Sequence, residues 1–156
     1  MGSHRILDLV DSALGAYLVS KGVSTEEEIQ VGKSLGDNVH PNTTCEAMSW
    51  AVPDGQEYTG NAVVSATVTV NTVAFTADGS ETTASDSHSR VSDTFDCFYE
   101  NDPQSLGDLI TAAAVASGIQ VTIIAARVTG GDRAIDNATW HDSINLELLA
   151  CPSALT

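Results

Sequence analysis

Positive charge is the scarcest thing in this sequence. Lys and Arg together number 6 against 21 Asp and Glu, which leaves a formal net charge of −15. A surface of that sign repels phosphate backbones and anionic lipid headgroups. It excludes ordinary electrostatic binding to nucleic acid or to a membrane surface. The acids are spread along the chain and form no tail. The plain reading is solubility. The sharper one is a surface that meets a basic partner, or one past which a polyanion slides without sticking.

Aromatic residues are also few, at 5%, within an apolar fraction of 42%. Ala and Val make up much of the rest, which favours thin layers of helix and sheet over a large aromatic-lined pocket. The three cysteines, Cys45, Cys97 and Cys151, have an odd count and no C-x-x-C spacing. Both facts argue against a disulfide framework and a zinc site, and free thiols in a reducing compartment are the default. No hydrophobic run reaches the ~18 residues that suggest a membrane span. Asp8 and Asp11 interrupt the apolar residues at the N-terminus, unlike a signal peptide. Without a secretion signal, the sequons at Asn42 and Asn137 carry no weight.

The 156 residues fit a single domain, 1–156, long enough to bury a core without metal or disulfide. No repeat or domain-scale linker interrupts it. Residues 1–22 read as an amphipathic helix, with Ile6, Leu9, Val10, Ala13, Leu14, Tyr17 and Leu18 on one face. Asp8, Asp11, Ser12 and Gly15 are expected on the other. Gly22 is placed to end the helix. Ile29 to Pro41 reads mostly as loop. The stretches 38–59 and 77–89 read as long loops, the first holding a candidate strand from Thr44 to Val52.

The clearest strand is Ala62 to Phe75, where Val64, Ala66, Val68 and Val70 alternate with Ser65, Thr67, Thr69 and Asn71. That alternation predicts one buried and one wet face. A helix is expected from Ser85 or Asp86 to Tyr99, with Val91, Phe95 and Phe98 inward. Asp102-Pro103 ends it. A further helix is expected to start at the capping-box spacing Ser105 to Asp108 and run to Ser117-Gly118. A strand from Ile119 to Val128, a turn at Gly130-Gly131-Asp132, a loop through Trp140 and a last strand from Ser143 to Ala150 complete the chain. The expected fold is therefore α+β, an antiparallel sheet of about four strands with helices packed on one face.

Chemistry is hard to find in these residues. His4, His40, His88 and His141 are each isolated, with no H-E-x-x-H and no pair at helical spacing. His141-Asp142 is the most suggestive pair, yet neighbours on a strand point to opposite faces. Cys97 fits core packing better than nucleophilic catalysis. Asp132, Asp136 and Asp142 miss the calcium-loop spacing, and Gly130-Gly131 lacks the Lys of a phosphate cradle. No cofactor is implied. The residues that stand out are interface candidates: Trp140 with His141, Asp132 with Arg133, and the polar strand face of Thr67, Thr69 and Asn71. Trp140 reads either as a partner-binding anchor or as an edge plug of the core.

The opening Arg5-Ile6-Leu7-Asp8-Leu9-Val10-Asp11 resembles the start of small neck and tail proteins of tailed bacteriophages. The layout behind it, from a strand near Cys45 to Trp50 through to the Asp136 to Cys151 segment with Trp140 before an alternating strand, is similar too. The resemblance covers most of the chain in layout and includes no diagnostic motif. It implies a non-enzymatic virion subunit, a tail terminator or head–tail joining protein. Such a subunit forms a ring, often of six copies, next to other neck or tail proteins, and DNA passes through without specific binding. The residues by themselves also allow a cytoplasmic acidic binding module or a small enzyme of unknown substrate.

Overall fold

A computed structural model describes residues 3–23, 29–31, 42–52, 63–75, 89, 92–98, 102–136 and 139–152. The fold is α+β. Helix α1 (Ser3–Ser20) leads to strands β1 (Ile29–Val31), β2 (Asn42–Ala51) and β3 (Val64–Phe75). A short helix α2 (residues 92–97) follows, then α3 (Pro103–Ala116), β4 (Val121–Asp136) and β5 (Thr139–Pro152). The sheet order is β1-β2-β3-β5-β4. The four long strands pair antiparallel, as expected, and β1 adds a short parallel edge beside β2.

The helices cover one face. From α1, Ile6, Val10, Ala13, Leu14, Tyr17 and Leu18 are buried against Val64, Ala66, Val68 and Val70 of β3 and Ile144, Leu146 and Leu148 of β5. Leu106, Ile110 and Ala114 bring α3 into the same core. A fully buried Leu such as Leu14 stabilises this layer by roughly 1.5–3 kcal/mol through removal of apolar area from water. Tyr17 is the end clamp of α1. Its hydroxyl donates to the Cys97 carbonyl, and its ring lies 5.8 Å from that of Phe98. The Lys21 ammonium lies over the Tyr17 ring, 5.6 Å from its centroid, as a cation–π contact.

The close seat of α3 on β4 has a specific cause. A Cβ on Gly107 would stand 2.6 Å from the Ile123 carbonyl oxygen, so only glycine lets the helix approach so near. One turn on, the Thr111 hydroxyl donates to the Gly107 carbonyl at 2.8 Å and accepts from the Ile123 N–H at 2.8 Å. That second bond lies at the β-bulge between Ile123 and Ala125. β4 is an edge strand, so the Ile123 N–H on its outer side has no strand partner, and the threonine supplies one.

Several expectations are corrected. Asp11 and Gly15 are buried, not solvent-facing, because α1 is covered by both β2 and α3. Residues 29–31, expected in a loop, pair as β1. Within the 38–59 stretch, residues 42–51 form β2; residues 53–59, and 77–88 of the second stretch, lie outside the described residues. Phe95 faces out, with 41% of its surface exposed, while Phe98 is buried as expected. Helix α3 starts two residues earlier than its predicted cap. Asp102 is the N-cap and Pro103 follows at the first helical position, where its missing N–H costs no helical bond. Its carboxylate accepts from the Gln104 N–H and the Ser105 hydroxyl.

The largest difference lies at Gly130-Gly131-Asp132. These residues do not turn the chain; they run on in β4, past a second bulge between Val128 and Gly130. Gly131 stands opposite Ile144 with its Cα so close to the Ser143 carbonyl that an added Cβ would lie 2.4 Å from it. A glycine pair that resembles a turn here lies within a strand, and its second member, Gly131, makes the close contact. The β4–β5 pairing continues to Asp136↔Thr139.

Candidate interface

Strand alternation puts Ser65, Thr67 and Thr69 of β3 on the face away from the helices, half-buried in a central strand. The register continues each of them across β5. Thr67 stands opposite Glu147, which stands opposite Arg127 of β4. Thr69 stands opposite Asn145, and its hydroxyl donates to the Asn145 side-chain oxygen at 3.0 Å. The Thr129 hydroxyl donates to the Asn145 carbonyl from the far side at 3.3 Å. Arg127 and Glu147 form an ion pair at 3.2 Å with side chains 63% and 48% exposed. At that exposure the pair adds little stability. Its effect is to cancel charge in the middle of the face.

The sequence candidates fall into two groups. Thr67 and Thr69 belong to this open face, and Asn71 shares their alternation in register with Ser143 of β5. Asp132 is exposed on β4, also in register with Ser143. Arg133, His141 and Trp140 lie on strands, not in a loop; Arg133 is opposite Asp142, and Trp140 is opposite Ile135. The fold therefore brings Thr67, Thr69 and Asp132 to one side of the sheet, while Arg133 pairs with Asp142 and His141 with Ala134 in the β4–β5 hairpin. Arg127, Glu147 and Asn145 were not singled out from sequence, although the alternation of β5 already paired Asn145 and Glu147 on one face.

Two further features bear on chemistry. A cleft of about 110 Å³ opens between the start of α3 and the β4–β5 pair, lined by residues that include Pro103, Ala126, Arg127, Glu147 and Leu148. That is below the ~300 Å³ at the small end of ligand pockets. On the helix side, Asp11 is 5% exposed beneath α1. One carboxylate oxygen accepts from the Ala47 N–H at 3.3 Å, beside the β2 bulge between Ala47 and Ser49, and the other has no hydrogen-bond partner. Burial pushes its pKa up from 3.8 to about 7; the Ala47 hydrogen bond opposes this, and the Asp8 and Glu46 charges reinforce it. Burial likewise raises the Cys45 thiol far above its ordinary value, with the Asp11 charge adding to the effect. It also raises Cys97 and Cys151.

Among the described residues, no group of three or more His, Cys, Asp and Glu is placed to hold a metal ion, and no helix is long and apolar enough to cross a membrane. Comparison with protein-family models and with curated proteins finds no match to this chain.

Proposed function

We propose that this chain is a structural subunit of a tailed-phage particle. In this reading it forms a homomeric ring at the neck or tail end, as a tail terminator, tail-completion or head–tail joining protein. Neighbouring phage proteins contact the ring, and DNA passes through it without specific binding. The observation that carries the reading is the open sheet face. Among the described residues, the helices cover one side of the sheet, and the other carries Thr67, Thr69 and Asn145 with Arg127 and Glu147, whose charges cancel. On a chain of net charge −15, cancelling the central charges of this face lowers the electrostatic cost of like copies meeting there. The remaining acidity suits a passage for DNA, since like charge prevents sticking. The layout described in the opening subsection points the same way.

The quickest test is the setting of the coding sequence. Portal, major tail and tape-measure proteins encoded beside it are the expected neighbours. Enzymes of one metabolic route in that position would refute the reading.

A further inference from the structure

We propose that Asp11 works as a proton-operated latch on the outer half of β2. With a proton on its carboxyl, residues 46–51 stay seated against α1; without it, that half-strand lifts from the helix. This device does not depend on ring formation. β1 pairs with β2 only at Thr43, Thr44 and Cys45. Among the described residues, β2 is therefore the sheet edge from Glu46 onward. A bulge between Ala47 and Ser49 interrupts its register with β3 just there. Glu46, Met48, Ser49, Trp50 and Ala51 are all exposed, Met48 by 62%. A bulged, exposed edge with few buried side chains is the kind of segment that opens without the rest of its domain. Helix α1 is the fixed side of the contact. Its Val10, Ala13, Leu14 and Leu18 are completely buried, so it leaves the sheet only when the core unfolds.

Asp11 joins the two parts. One carboxylate oxygen accepts from the Ala47 N–H at 3.3 Å, at the bulge itself, and the other is buried with no hydrogen-bond partner. An ionised carboxylate is costly in that position, and a protonated carboxyl is far cheaper to bury. The groups around it act in the same direction. Beyond burial, the charges of Asp8 on α1 and Glu46 on β2 disfavour ionisation, and the Ala47 bond alone opposes this. The fully buried Cys45 thiol stands beside them on β2. β1 and β3 carry no titratable side chain. The only charged residue of α3, Asp108, is exposed, as are Arg127, Asp132 and Glu147 of β4 and β5. Ala47 stands in one row with Val68 and Leu146. Arg133, Asp136, His141 and Asp142 lie towards the hairpin end of β4 and β5 and Cys151 towards the other, each at least four residues along from that row.

The direction of the switch follows from burial. Lifting the half-strand returns the carboxyl to water and to its ordinary pKa of 3.8, against about 7 when seated. Opening is therefore rarest below about pH 4, grows more frequent up to about pH 7 and then levels off. From pH 5.5 to pH 8 the opening equilibrium should rise about 30-fold, most of it below pH 7. Amide hydrogen exchange of the full-length chain reads this at Ala47, as protection relative to an unstructured peptide. Leu146, in the buried centre of the sheet, reports global unfolding. Ala47 protection should fall about 30-fold over that range in the natural protein and stay level in Asp11→Asn. Low urea should leave Ala47 exchange unchanged while it speeds exchange at Leu146. Should Asp11→Asn fail to fold, the natural protein alone decides, by a break in the Ala47 profile near pH 7. A profile without that break, or equal profiles in the two proteins, overturns the latch. So does exchange of Ala47 and Leu146 with equal protection and equal urea dependence, which makes Asp11 a contributor to global stability only.

Discussion

Replacing Asp11 with Asn should flatten the pH dependence of stability. The carboxyl is buried, with one oxygen unpartnered and the other held by the Ala47 N–H at 3.3 Å. Its pKa rises from 3.8 to about 7. The folded chain therefore holds a proton that the unfolded chain has released between about pH 4 and pH 7. In that window the unfolding free energy falls as pH rises, by about 1.4 kcal/mol per pH unit for this one group. The stabilising contribution is complete below the unfolded pKa and gone above the folded one. The full swing is about 4 kcal/mol, and the part between pH 5.5 and pH 7 is about 2 kcal/mol. Asn keeps an oxygen for Ala47 and carries no charge at any pH. Its amide leaves donors near the unpartnered position, a cost of roughly 1–3 kcal/mol that does not vary with pH. Urea unfolding of both proteins from pH 5.5 to pH 8 isolates the difference, because the other acids contribute equally to each. The unfolding free energy of the natural protein should fall by about 2 kcal/mol relative to Asp11→Asn across that range. Parallel curves would refute the reasoning and mean that the site is solvated.

Three other substitutions test the packing. Leu14→Ala should cost roughly 2–5 kcal/mol by thermal melt, since Leu14 is fully buried; no loss would mean that α1 is a detached arm. Gly107→Ala should cost roughly 1–3 kcal/mol by the same measurement, because its Cβ meets the Ile123 carbonyl at 2.6 Å. Thr111→Val should cost roughly 1–3 kcal/mol by chemical unfolding, through loss of the acceptor for the Ile123 N–H at the outer edge of β4; an unchanged midpoint would mean that water replaces it.

Much of the fold was legible because strand alternation and helical periodicity survive in the core. Val64, Ala66, Val68 and Val70 were read as inward and are buried. The open face followed from the same alternation, so Thr67 and Thr69 were found as candidates. What failed was local chemistry set by neighbours distant in sequence. Asp11 was assigned to the wet side because it is acidic. Yet Leu7, Asp11, Leu14 and Leu18 share the spacing i, i+4, i+7, i+11, and a wider stripe would have placed it beneath β2. Gly130-Gly131-Asp132 has turn composition, but the close approach of Gly131 to Ser143 depends on β5. Arg127 was passed over because its meaning depends on register with Glu147, which a single strand does not reveal. The short β1 has only three residues, too few for alternation to show.

The central claim is that many copies of this chain sit together at one place in a phage particle. Negative-stain microscopy of purified virions that carry a gold-labelled tag on this chain tests it most directly. The account predicts label in several copies at a single axial position, at the head–tail joint or the tail end. Label absent from the particle, or one copy per particle, would contradict it.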